Sequence, residues 1–280
     1  MRAAIFQTCT GIDPVANAAS LVSAVAEARA EGAEMLFTPE MSGLLDRNRS
    51  RAAASIATES EDRVLASVRD AAAKAGLWVH LGSLALRGEG ADGRLVNRGF
   101  VIDAGGAIRA RYDKIHLFDV DLPTGESWRE SASYAPGERA VAVDTPWGRL
   151  GLSICYDLRF PDLYRALSDA GATMLAIPAA FTVPTGQAHW HVLQRARAIE
   201  AGCWVIAAAQ NGQHEDGRAT YGHSLVIDPW GDVILDMVDR TGLGYADIDA
   251  ARTADVRARV PALRHRRPIG MVQTSEDIGA

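Results

Sequence analysis

The chain has 280 residues, 48% of them hydrophobic and 23% charged, with a formal net charge of −6. This balance suits a globular protein whose core needs no metal or disulfide staple, and it gives no electrostatic footing for nucleic acid or an anionic membrane. Three widely spaced cysteines, Cys9, Cys155 and Cys203, fit a reducing compartment, and no N-terminal signal-like run or long apolar span is visible, so the expectation is a cytoplasmic enzyme.

Ala3–Gln7 is expected to be the first strand. Pro14–Ala30 has helical composition, with Asp13 at the N-cap and Pro14 in the first turn. Met35–Phe37 predicts a short buried strand that ends at Pro39-Glu40. Glu61–Ala75 is amphipathic, and Gly76 supplies its stop. Leu77–Leu86 and Leu95–Asp103 predict neighbouring strands across the glycine-rich loop Gly88–Gly93; Ala107–Tyr112 predicts another, which runs out at Lys114.

From His116 to Pro136 no periodic pattern is visible. The segment carries Asp119, Asp121, Pro123, Gly125, Glu126 and Glu130 and reads as a long functional loop. Beyond it, Arg149–Ile154 predicts a strand, Pro161–Ala170 a helix, Thr173–Ile177 a strand and Gln187–Ala201 a helix closed by Gly202. Trp204–Ala209, His223–Ile227 and Val233–Met237 are strand-like, the last two joined by the turn Asp228–Asp232, and Ala251–Arg259 reads as a final helix. No linker or repeat divides the chain. We expect one α/β domain over residues 1–270 with a tail at 271–280, its hairpin-like strands favouring a mixed sheet or two packed sheets.

Three apolar stretches stop on reactive side chains: Phe37-Thr38-Pro39-Glu40, Tyr112-Asp113-Lys114 and Leu152-Ser153-Ile154-Cys155. Chemistry in α/β proteins gathers where strands end, so a carboxylate, an amine and a thiol distant in sequence are expected to share a pocket. A thiol beside a base and a cation is equipped for covalent attack on a carbonyl or nitrile carbon. Cys155 falls at a strand-to-helix bend, where N–H groups favour thiolate and the Tyr156 N–H is placed for an oxyanion. Glu40, at a buried strand end, is expected to have a raised pKa and to act as general base. Lys114 would stabilise thiolate and oxyanion, and Glu130 would orient Lys114 or substrate. Cys9 and Cys203 lack such a setting and read as ordinary thiols.

Other chemistries fit poorly. His189 and His191 lie two apart on a predicted helix and diverge, and no metal-binding spacing of His or Cys occurs. Gly88-Glu89-Gly90 opens no helix, so a dinucleotide fingerprint is absent. The surroundings of Cys155 do not match a papain-like protease.

In this order and context, Glu40, Lys114 and Cys155 resemble the nitrilase or carbon–nitrogen hydrolase superfamily, over essentially the whole chain. The resemblance implies a four-layer α-β-β-α sandwich paired across a helical interface into a homodimer, without metal or organic cofactor. It implies Glu40 as base, Lys114 as stabiliser of the intermediate, Cys155 as nucleophile and Glu130 as second glutamate. Thr185–Glu200 and Ala207–Ser224 resemble the branch that hydrolyses deaminated glutathione, with Gln187 standing where proline is expected. A small amide substrate bearing a carboxylate follows, with Arg159 a candidate for that carboxylate and Phe181 and Thr182 for the pocket wall. The alternatives are an ω-amidase, N-carbamoyl hydrolase or nitrilase on the same fold. In other classes stand a non-catalytic scaffold and a redox-active thiol protein, and the latter would have no use for Glu40 and Lys114.

Overall fold

The computed structural model describes residues 1–88, 90, 93–122 and 125–274; Glu89, Pro123 and residues 275–280 of the expected tail lie outside the described residues. The first strand shows why the fold is layered. Arg2–Gln7 buries five residues in succession, and because strand side chains alternate it must be covered on both faces. Ala3 and Ile5 join a core with Leu150, Leu152 and Leu175, while Ala4 and Phe6 join a second core with Leu21, Val25 and Val68.

Two six-stranded sheets result. The first runs in the order Gly242–Asp247, Arg2–Gln7, Met35–Phe37, Trp78–Arg87, Leu95–Ile102, Ile108–Asp113. The second runs Val233–Asp236, Leu225–Ile227, Trp204–Ala207, Met174–Ala176, Gly148–Leu152, Val141–Thr145. Parallel pairing is confined to the centre of each sheet, with antiparallel strands outside. Helices Pro14–Ala30 and Arg63–Ala75 cover the first sheet, and Pro161–Asp169 and Val183–Ala201 the second. The fold is the α-β-β-α sandwich that the sequence resemblance implies.

Local chemistry sets the helix ends. The Asp13 and Asp62 carboxylates accept from Val15 N and Leu65 N, and Gly76 and Gly202 close their helices at φ +62° and +55°. Each such N-cap stabilises its helix by about 1 kcal/mol. Among the described residues no helix is long and apolar enough to cross a membrane.

Several expectations need correction. The segment read as a structureless loop holds a hairpin, Asp119–Asp121 with Ser127–Arg129, followed by a 3-10 turn at Glu130–Ala132. Its strands are too short for periodicity to show, and the Arg129–Asp121 ion pair at 2.9 Å ties them. The helix expected from Gln187 starts at Val183: Pro184 suits a first turn, and Gly186 lets the helix press against the Tyr221 ring, where a side chain would collide. Val141–Thr145 and Gly242–Asp247, not anticipated as strands, form sheet edges.

Gly82 is required by packing. The strand Trp78–Arg87 shifts register between Leu81 and Leu84, and a Cβ at Gly82 would run into the carbonyls of Thr38 and Pro39. The segment leading to Glu40 is seated on this bulge.

On the same strand His80 is buried beside Phe37, and burial pushes its pKa down to about 3. The unfolded chain protonates this imidazole near 6.5. The stabilisation from keeping it neutral is therefore complete above pH 6.5 and is lost as the pH falls toward 3. Acidifying to about pH 5 should cost about 2 kcal/mol through this group. Urea midpoints of wild type should fall more steeply over that interval than those of His80→Phe, and parallel slopes would exonerate His80.

Candidate active site

Glu40 is delivered by the turn after strand Met35–Phe37, Lys114 by the end of strand Ile108–Asp113, and Cys155 by the bend after strand Gly148–Leu152. The Lys114 ammonium donates to Glu40 Oε1 at 2.9 Å and to Glu130 Oε2 at 2.9 Å and Oε1 at 3.2 Å. Asn97 Nδ2 bridges the same carboxylates, donating to Glu40 Oε1 at 2.9 Å and Glu130 Oε1 at 3.2 Å. The Ala180 N–H donates to Glu40 Oε2 at 2.9 Å, and the Phe118 N–H to Glu130 Oε2 at 2.7 Å. Nearly every carboxylate lone pair aimed into this buried site thus meets a donor.

Cys155 occupies a strained bend. Its φ is +52°, a left-handed conformation that costs a residue with a side chain about 1 kcal/mol or more. The cost is met by fixed neighbours: the Cys155 N–H donates to Pro178 O at 2.8 Å, and the Ile154 N–H to Asp157 Oδ2 at 2.8 Å. Asp157 is itself held by the Tyr112 hydroxyl at 2.7 Å and by the His116 N–H at 3.0 Å and ring Nδ1 at 2.7 Å. The bend places the thiol beside Glu40, close enough for the two groups to shift each other's ionisation.

The electrostatics overturn two expectations. Burial alone would raise the Glu40 pKa, but the charge and hydrogen bond of Lys114, helped by Cys155 and Asn97, outweigh it and hold Glu40 below the usual carboxylate value. Cys155 moves the other way: burial and the Glu40 charge push its thiol well up, beyond what Lys114 offsets. Burial would lower Lys114, yet Glu130 and Glu40 hold it well above the usual lysine value. The resting centre is therefore thiol, carboxylate and ammonium. An ionised carboxylate sits beside a protonated thiol, and no thiolate is stored.

These groups open onto a cavity of about 940 Å³, also lined by Tyr156, Phe181 and Thr182, a volume suited to a small organic ligand. Tyr156 packs edge-on to Phe118 and Phe160 at 5.1 and 5.3 Å, and Phe181 lies 4.8 Å from the Trp190 ring. Thr182 stands just before the helix that starts at Val183, its hydroxyl 2.8 Å from that of Thr185 and not bonded to a helix N–H. Arg159 does not line the cavity. Its guanidinium lies behind the wall, over the Tyr156 and Phe181 rings and 3.3 Å from His189 Nδ1, and it forms no ion pair with Asp157.

Asn97, Asp157 and the Ala180 N–H escaped the sequence reading. Asn97 left a trace, as an amide beside Arg98 in a strand whose other residues are apolar or glycine; the other two depend on tertiary contact. Among the described residues His191, His223 and Asp236 bring potential metal-ligand atoms within 4.8 Å of one another. Both imidazoles already bond Asp236, at 3.0 and 2.9 Å, and none of the three lines the cavity. Sequence spacing could not reveal this trio, because its members come from a helix, a loop and a strand.

With its fold and site described, the chain can be compared with known proteins. It belongs to the carbon–nitrogen hydrolase family, whose model matches residues 2–258. It is 37% identical to a deaminated glutathione amidase of Yersinia enterocolitica over 94% of this chain and 92% of that protein. A human deaminated glutathione amidase is 39% identical over 95% of this chain and 82% of its own. Among solved structures, the NitFhit protein of C. elegans superposes with a TM-score of 0.88 at 37% identity; the match covers 95% of this chain and 65% of NitFhit.

Proposed function

We propose that the chain is an amidase acting on deaminated glutathione through a cysteine thioester. The observation that carries the reading is the Glu40 carboxylate held between the Lys114 ammonium and the Cys155 thiol at the floor of one cavity. Glu40 accepts the thiol proton as the sulfur attacks the amide carbon. Lys114 and the Tyr156 N–H receive the charge that develops on the oxygen. When the tetrahedral intermediate collapses, the C–N bond breaks and Glu40 returns the proton to the leaving amine. Glu40 then takes a proton from water, whose oxygen attacks the thioester, and Cys155 departs as a thiol. The products are α-ketoglutarate and cysteinylglycine. Glu130 keeps Lys114 charged and in place.

The similarity to deaminated glutathione amidases over most of both chains supports this substrate. The test is direct product detection with deaminated glutathione, α-ketoglutaramate, an N-carbamoyl amino acid and a simple nitrile. Preference for the first supports the reading; preference for another replaces the substrate. We further infer a single domain over residues 1–270 and a cytoplasmic enzyme working as a homodimer. The outer face of helix Val183–Ala201 exposes Val192 and Ile199, and Trp230, Val233 and Ile234 are exposed around the turn that Arg195 bonds. Pairing of two such faces would cover them. Sedimentation should show a dimer that Ile199→Asp dissociates, and a monomeric wild type would refute the pairing.

A further inference from the structure

We propose that Arg47, Trp128 and Arg218 form a carboxylate-binding subsite in the cavity wall, holding the acidic end of the substrate while Cys155 meets its amide. The assignment of the ligand to the substrate rests on the amidase reading above. All three residues line the cavity that holds Cys155, and they come from three separate elements. Arg47 follows the Glu40 turn, Trp128 belongs to the hairpin Asp119–Arg129, and Arg218 precedes strand Ala219–Tyr221.

The Trp128 indole is the centre of the cluster. The Arg47 and Arg218 guanidiniums lie 5.3 and 5.2 Å from its ring centre, within cation–π range. Its Nε1 is buried and has no hydrogen-bond partner. A buried N–H left without a partner costs about 1–3 kcal/mol, and an acceptor brought by a bound ligand would relieve that cost.

Charge points to the same ligand. Asp216 neutralises Arg218 at 2.7 Å and also accepts from the Arg47 N–H at 2.9 Å, so one carboxylate ties both arms of the cluster. The Arg47 guanidinium forms no ion pair among the described residues. One uncompensated positive charge thus sits beside one unpaired donor, the complement of a single carboxylate. A guanidinium matches a carboxylate's two oxygens, and stacking on Trp128 reduces the entropy lost on binding. Of the four other arginines that line the cavity, Arg129 is paired with Asp121 and Arg49 reaches the Arg129 carbonyl at 3.4 Å, which makes these two less suited.

The experiment is calorimetry on the Cys155→Ala protein, with glutarate as probe and its neutral diamide as control. Glutarate should bind more tightly than the diamide. Adding Arg47→Met should weaken glutarate about 10-fold or more and the diamide little, because a hydrogen bond to a charged group is lost. Arg47→Lys should recover part of the loss. Trp128→Phe keeps a ring beneath the guanidiniums but lacks the N–H, and should weaken glutarate several-fold. Absence of glutarate binding, equal affinity for the two probes, or equal weakening of both by Arg47→Met would overturn the subsite. No turnover is involved. If the protein binds glutarate in this manner but cleaves no amide, the subsite stands and the amidase reading falls.

Discussion

Cys155→Ala is expected to lose amide turnover by about four orders of magnitude or more while remaining folded. Removing the nucleophile of a concerted set costs about as much as removing the set. The stability change should be small, about 1 kcal/mol, since little more than a buried sulfur is lost. The bend supplies an internal control. With φ at +52°, glycine relieves strain that alanine keeps, so Cys155→Gly should be no less stable than Cys155→Ala although both are inactive. Cys155→Ser keeps a proton-bearing group beside Glu40 but should also fail, because a hydroxyl is harder to activate than a thiol. Turnover retained by Cys155→Ala would reject the thioester mechanism outright.

The pH dependence follows from the same centre. In the proposed mechanism Glu40 must be ionised to accept the thiol proton, and its neighbours hold its pKa below the usual carboxylate value. Activity should therefore persist on acidification until that lowered pKa is crossed, with the acid limb of kcat/KM displaced downward. Glu40→Gln should be inactive across the range, since an amide accepts no proton. An acid limb well above the ordinary glutamate range would contradict the assignment of Glu40 as the base in the free enzyme.

Which features were legible in the sequence follows from the range of the forces involved. Strands covered on both faces, such as Arg2–Gln7, announce themselves as unbroken apolar runs. Asp13, Asp62, Gly76 and Gly202 mark helix ends because capping is local chemistry. Glu40 and Cys155 stood out because each follows such a run, whereas Lys114 follows an edge strand, Ile108–Asp113, that alternates apolar and charged residues. The hairpin around Trp128 stayed hidden, since its three-residue strands cannot establish a period. The protonation states stayed hidden for another reason. Burial alone predicts a raised Glu40, and the Lys114 ammonium at 2.9 Å, helped by Cys155 and the Asn97 amide, reverses the sign. Arg159 was chosen for its nearness in sequence to Cys155, whereas the fold turns it behind the cavity wall and places Arg47 and Arg218 in the lining.

Lys114→Met should be the most damaging single change to both stability and activity, and the two losses separate with pH. In the wild type one buried ammonium serves two carboxylates, at 2.9 Å each. Its removal leaves Glu40 and Glu130 facing each other with the Asn97 amide as their shared donor. Breaking a buried charge pair in this way costs about 3–5 kcal/mol at neutral pH. Burial and mutual repulsion then raise the pKa of at least one of the carboxyl groups. Such a group is anionic and costly in the folded state above its raised pKa, and it becomes neutral as the pH falls through it, so the variant's deficit should shrink on acidification. Wild-type Glu40 has the opposite sign: its lowered pKa contributes stability above the unfolded value, which is lost as the pH falls through the folded one. Urea midpoints of the two proteins should therefore converge between about pH 8 and pH 5. Activity should not follow, because a protonated Glu40 cannot accept the Cys155 proton and the oxyanion has lost its cation. A stability gap independent of pH would mean that Lys114 acts by packing alone, and the charge balance assigned to this centre would be wrong.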